Sequence, residues 1–192
     1  MNDIPHASGA LPPLDIERVR ADFPLLARTV HGKPLIYLDN ANTSQKPLSV
    51  IEAVDRFYRR SNANVARAMH ALGDEATSAY EATRDKLARF INAASRDEIV
   101  FTSGTTQAIN LVAYSHALPR LQPGDTILVT QMEHHANIVP WHRLCQETGA
   151  KLRVAPVDDT GQILLDEYQR LVGPRTKLVA LPQVSNALGT VT

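Results

Sequence analysis

Residues 99–130, IVFTSGTTQAINLVAYSHALPRLQPGDTILVT, decide the architecture of this chain. The apolar run Ile99-Val100-Phe101 predicts a short strand, Thr105 to Tyr114 carries helical periodicity, and Thr126 to Thr130 reads as a second strand. The alternation continues toward the C-terminus. A helix is expected over Ile138 to Cys145 after Asn137 as its cap, a strand over Lys151 to Val157, a helix over Ile163 to Leu171 and a last buried strand over Lys177 to Val184. Strand and helix in strict alternation at this spacing imply an α/β fold, with a mostly parallel sheet covered by helices on both faces.

Working back from residue 99, Asp74 is expected to cap a helix whose apolar face is Ala76, Tyr80, Leu87, Phe90 and Ile91. Before it, Val50, Val54, Phe57 and Tyr58 fall at helical spacing, and Arg59-Arg60 suit the negative end of that helix. Six of the 12 prolines fall at positions 5, 12, 13, 24, 34 and 47. That density restricts residues 1–47 to short helices and extended pieces, so they are expected to form an arm.

Composition narrows the function classes. The 192 residues are 44% hydrophobic and 21% charged, as in ordinary globular domains. Lys+Arg 20 against Asp+Glu 20 leaves no net field to attract phosphate backbones or anionic lipid, so neither nucleic acid nor a membrane is expected as partner. The opening MNDIPHASGALPP has neither a basic nor an apolar signal region. A single cysteine, Cys145, fits a reducing compartment, and a cytoplasmic location is expected.

In parallel sheets, ligands bind beyond the carboxyl ends of the strands. Three loops there are unusual. Thr102-Ser103-Gly104-Thr105-Thr106-Gln107 leads straight into a helix, where free amides and the helix dipole can hold a phosphate. Taken alone, capping by Ser103 or Thr105 explains this loop better, and the P-loop pattern is absent. Gln131-Met132-Glu133-His134-His135-Ala136-Asn137 has two adjacent histidines that extended backbone would point in opposite directions, so no metal site is expected. One imidazole can instead lie on a planar ligand, and a hydrogen-bonded polar loop is the alternative. In Val184-Ser185-Asn186-Ala187-Leu188-Gly189-Thr190, turn chemistry alone accounts for Asn186 and Gly189. Together, however, the loops offer anion donors, an imidazole and a neutral amide at one sheet edge, and three separate capping explanations would have to coincide. A phosphorylated planar cofactor satisfies all three.

Thr102–Asn110, Gln131–Trp141 and Val184–Thr190 resemble the corresponding stretches of the class V aminotransferase group of pyridoxal phosphate enzymes. Within that group, the chain is most similar to the SUF-type cysteine desulfurases, whose opening motif is matched by Tyr37-Leu38-Asp39-Asn40-Ala41. The resemblance implies a homodimer of the pyridoxal-phosphate-dependent transferase fold type I. It also implies conversion of L-cysteine to L-alanine with an enzyme persulfide, whose sulfur passes to an acceptor protein of the SUF system for iron–sulfur cluster assembly. By position, Gly104, Thr105 and Thr106 would hold the pyridoxal 5'-phosphate phosphate group, and His134 would stack on the ring and help move protons. Asn186 would lie near the ring hydroxyl and the substrate carboxylate, with Ala41 on the substrate side.

Two departures from the family pattern stand out. Asn64-Val65-Ala66-Arg67-Ala68-Met69-His70 has alanine at 66 where these enzymes usually carry a histidine, leaving Arg67 and His70 as candidates for the cofactor or a neighbouring subunit's site. None of the five lysines, Lys33, Lys46, Lys86, Lys151 and Lys177, sits in the Schiff-base context, and Cys145 lies inside a helix rather than at the persulfide position. The chain is thus expected to be the N-terminal part of the enzyme, 48–192 being the first part of its large cofactor-binding domain, and to be inactive alone. Selenocysteine lyase, kynureninase or a noncatalytic phosphate-binding module are the alternatives.

Overall fold

The computed structural model describes residues 13–192, so Pro5 and Pro12 of the expected arm lie outside the described residues. The chain divides into two compact units, one ending at Glu98 and one spanning Ile99–Thr192.

In the first unit, the proline-rich stretch forms short pieces: helix α1 (Ile16–Ala21), a 3-10 turn (Pro24–Ala27), and strands β1 (Thr29–Val30) and β2 (Lys33–Pro34), paired antiparallel. Two longer helices follow. Helix α2 (Leu48–Arg60) contains the expected apolar positions and ends on Arg59 and Arg60, yet buries no residue. Helix α3 (Ala71–Phe90) begins earlier than the sequence suggests. His70, not Asp74, is its N-cap: the imidazole Nδ1 accepts the Gly73 amide at 3.2 Å, and Asp74 lies in the first turn, where its charge suits the helix dipole. Gly73 is buried because the preceding loop folds onto it, and a Cβ there would stand 2.0 Å from the Ala68 Cβ.

The second unit is the α/β part. Helix α4 (Thr105–Val112) runs on into a π-helical turn (Ala113–Ala117), and strand β3 is Thr126–Thr130, as the sequence indicates. Helix α5 (Val139–Thr148), strand β4 (Lys151–Ala155), helix α6 (Leu165–Leu171) and strand β5 (Thr176–Ala180) complete the alternation. The sheet is fully parallel in the order β4-β3-β5, with Thr126 opposite Lys151 and Thr130 opposite Ala155. Every residue of β3 is buried, so both of its faces are covered. Ile127 and Val129 pack with Ala113, Ala117, Leu121, Trp141, Leu144 and Cys145, while Leu128, also fully buried, lies on the opposite face.

Several expectations are corrected here. Ile99-Val100-Phe101 belongs to neither sheet, since a short apolar run becomes a strand only where a ladder forms beside it. Asn137 does not cap α5; Ile138 occupies that position, and the Asn137 side chain accepts the Trp141 indole N–H instead. Val157 and Ile163, expected in a strand and a helix, form an isolated antiparallel bridge that closes the turn after β4. The last strand stops at Ala180 rather than Val184, and Lys177 and Val179 are exposed because they share the one face of β5 that is left uncovered.

At the amino ends of the strands, buried Asp125 accepts the Gln122 amide at 2.9 Å and pairs with Arg175 Nε at 3.2 Å, tying β3 to the turn before β5. No helix among the described residues is long and apolar enough to cross a membrane.

Candidate functional site

Gly104 is the N-cap of α4, and it has no side chain with which to cap. Neither Ser103 nor Thr105, the two hydroxyl residues expected to do so, makes a capping bond. Ser103 directs both its amide and its hydroxyl to the Gln107 Oε1, at 2.6 and 2.9 Å, and Thr102 donates to the Gly104 carbonyl at 3.2 Å. The exposed Thr105 and Thr106 hydroxyls form no hydrogen bond among the described residues, and no atom lies within 4 Å of a Cβ built on Gly104. The first turn of α4 is thus an uncapped positive helix end carrying two unused hydroxyls, a donor set suited to an anion. The capping account fails for this loop.

The loop after β3 is held from inside. The Thr130 hydroxyl donates to Glu133 Oε1 at 2.6 Å, the Asn137 amide donates to Glu133 Oε2 at 2.7 Å, and the Trp141 Nε1–H donates to Asn137 Oδ1 at 2.8 Å. The polar-loop account therefore holds for Glu133 and Asn137. Sequence reasoning missed this chain, although acid, amide and indole at 133, 137 and 141 show the i, i+4 spacing of helical neighbours.

His134, exposed, accepts the Ala136 amide on Nδ1 at 3.1 Å. The two histidine rings do not point in opposite directions: their centroids lie 6.1 Å apart, edge to face, because His135 begins a 3-10 turn (His135–Asn137) instead of continuing the strand. Helix α4 packs against that turn.

The third loop is built on Ser185, not on Asn186. Buried Ser185 accepts the Leu188 amide on its hydroxyl at 3.1 Å and the Gly189 amide on its carbonyl at 2.9 Å, and Gly189 takes φ +74° to close the turn. Turn chemistry accounts for Gly189 alone. The Asn186 side chain is exposed and has no hydrogen bond among the described residues. Because β3 and β5 are parallel neighbours, the loops carrying His134 and Asn186 leave the same edge of the sheet.

Ala41, Arg67 and His70 belong to the first unit. Ala41 is exposed in a turn where Asn42 and Thr43 donate to the Asp39 carbonyl and Tyr37 donates to the Thr43 carbonyl at 2.6 Å. Ala66 and Arg67 both take left-handed backbone, φ 62° and 55°, a conformation that costs about 1–2 kcal/mol per non-glycine residue. Hydrogen bonds offset that cost: the Ala66 amide donates to Thr77 Oγ1 at 3.0 Å, and the Asn64 amide donates to the Ala66 carbonyl at 3.2 Å. His70 is occupied as the α3 cap. All five lysines are exposed, and Cys145 is buried with its thiol pKa pushed up by that burial, so neither type is prepared as a nucleophile.

Residues 36–192 match the aminotransferase class-V family. Over 186 residues, covering 96% of this chain and 44% of the relative, the sequence is 60% identical to a probable cysteine desulfurase of Xylella fastidiosa strain 9a5c. It is 54% identical over 187 residues to a cysteine desulfurase of Synechococcus elongatus, covering 97% of this chain and 30% of that one. The chain thus spans less than half the length of these curated relatives. Among solved structures, the apo cysteine desulfurase of Thermococcus onnurineus NA1 matches with TM-score 0.82 and 40% identity, covering 92% of this chain and 42% of that one. The S-sulfonic acid form of the cysteine desulfurase CsdA of Escherichia coli matches with TM-score 0.76 and 41% identity, covering 94% and 44%.

Proposed function

This chain belongs to the aminotransferase class-V family, and from that premise we propose that it is the N-terminal part of a SUF-type cysteine desulfurase that binds pyridoxal 5'-phosphate. In this reading, residues 1–47 are an arm and 48–192 the first part of the large cofactor-binding domain. The observation that carries the reading is the uncapped start of α4, with unused Thr105 and Thr106 hydroxyls, on a helix that packs against the turn after His134.

When bound, pyridoxal phosphate supplies an electron sink for the bonds around a substrate α carbon. Toward it, the amides and hydroxyls of Thr105 and Thr106 would hold the phosphate, with Gly104 allowing close approach, and each charge-assisted bond contributes about 1.5–3 kcal/mol. His134 would lie on the ring and exchange a proton through the nitrogen that Ala136 does not occupy. The unengaged Asn186 amide would meet the ring hydroxyl and the substrate carboxylate, and Ala41 would line the substrate side. The exposed lysines and the buried Cys145 fit neither covalent role, so the Schiff-base lysine and the persulfide cysteine are assigned to residues outside these 192. The overall reaction is L-cysteine to L-alanine plus enzyme persulfide. The sulfur goes to a SUF-system acceptor protein for iron–sulfur cluster assembly, in a cytoplasmic homodimer, a setting supported by the single cysteine of this chain.

The test is alanine formation from L-cysteine by the complete protein, with sulfide released when a dithiol reductant is added to reduce the persulfide, and with Thr105→Ala and Thr106→Ala each raising the Kd for pyridoxal phosphate by roughly tenfold or more. Turnover of selenocysteine or kynurenine in place of cysteine would move the protein to a sibling activity. Cofactor affinity unchanged in the double variant would remove the phosphate assignment.

A further inference from the structure

Glu133 uses its two carboxylate oxygens separately, one toward the Thr130 hydroxyl and the other toward the Asn137 amide, which in turn holds the Trp141 indole. Both ends of this chain are anchored in the core, Thr130 being 1% and Trp141 2% exposed. The carboxylate therefore ties the carboxyl end of β3 to the first turn of α5. Between these anchors lies the short turn that carries His134. Within it, the Asn137 backbone N–H donates to the His134 carbonyl at 2.7 Å and the Ala136 backbone N–H donates to His134 Nδ1 at 3.1 Å. A ring nitrogen accepts a hydrogen bond only when it bears no proton, so a neutral imidazole held this way carries its proton on Nε2.

We propose that Glu133 is a positioning residue that fixes the turn between Thr130 and the Asn137–Trp141 pair and thereby holds His134 in the Nε2–H tautomer. Without the tie, the Ala136 amide is free to leave Nδ1, and the ring is free to exchange between its two neutral forms. This inference rests on the role given to His134 above, since only a ring that acts on a ligand needs one tautomer. Glu133 itself touches no reacting group.

Long-range proton–nitrogen spectra of the complete protein, with His134 assigned by its loss in His134→Gln, read which ring nitrogen bears the proton. The wild type is expected to show the Nε2–H pattern alone. Glu133→Gln should keep it, because the amide can donate to Thr130 and still accept from Asn137. Glu133→Ala and Asn137→Ala should each replace it by the averaged pattern of two exchanging tautomers. Should Glu133→Ala fail to fold, Asn137→Ala decides alone, as it leaves Glu133 on Thr130 and cuts the links from residue 137 to Glu133 and to Trp141. An unchanged Nε2–H pattern in the folded alanine variants overturns the proposal. Wild-type turnover in His134→Ala would overturn the role of the ring while leaving the tautomer result standing, so the two failures are read separately.

Discussion

At the scale of single residues, the two roles proposed for His134 can be measured separately. Stacking contributes about 0.5–1.5 kcal/mol, whereas loss of a proton-transferring group costs roughly 10²–10⁴-fold in rate. In the complete enzyme, His134→Phe should retain most of the turnover if the ring only stacks, and should be as slow as His134→Ala if it also moves protons. Equal, near-wild-type rates in both variants would remove His134 from the site. Cys145 gives an independent check on the core. Its thiol is buried among Trp141 and Leu144, and burial raises its pKa, so the reactive thiolate is scarce. A disulfide reagent such as DTNB should label it only as denaturant unfolds the chain; immediate native-state labelling would show that this core is open. The histidine, the glycine and the threonines of the site were legible as residue types. That Gly104 rather than Ser103 stands at the cap was not, because it depends on Gln107 drawing the Ser103 hydroxyl away.

At the scale of elements, the turn after β4 titrates. Asp158 accepts the Thr160 hydroxyl at 2.6 Å, the Thr160 amide at 2.8 Å and the Gln162 amide at 3.0 Å, and these bonds, the hydroxyl foremost, hold its carboxyl below the ordinary range. A depressed folded pKa stabilises the fold above the unfolded carboxylate pKa of about 3.9, and the contribution is lost as pH falls through the folded value. Asp158→Asn should therefore lower the melting temperature near neutrality, with the difference from wild type shrinking below about pH 4. A difference independent of pH would mean that the charge is irrelevant to this turn. From residue 105 onward the helix and strand cores of the second unit follow from local pattern, and β3 matches its sequence boundaries residue for residue. Boundaries at α3, α5 and β5 shifted because caps and ladders are decided by what stands next to the segment: His70 supplied a nitrogen where Asp74 was expected, and among the described residues β5 pairs with β3 alone.

For the whole molecule, exposed apolar surface has consequences in solution. Helix α2 buries none of its residues, though Val50, Ile51, Val54 and Tyr58 lie along it, and at the end of α3 Phe90 is 85% and Ile91 62% exposed. Surface of this kind favours association, so the isolated 192-residue chain should scatter light as an oligomer or aggregate. A compact monomer with a sharp cooperative melt would contradict this. What the sequence determined by itself is the alternation of strand and helix from residue 105 onward, because periodicity and β-branched runs report which face of each segment must be buried, and with it the parallel sheet. The residue types at the three loops were equally readable. Only the tertiary structure decided which of those loops are satisfied by themselves and which keep donors in hand. Gln107 takes Ser103, Ser185 takes its turn and Glu133 takes Asn137, and what these pairings leave over is Thr105, Thr106 and Asn186. A hydrogen-bond partner is chosen by geometry in space, and no spacing along the chain records that choice.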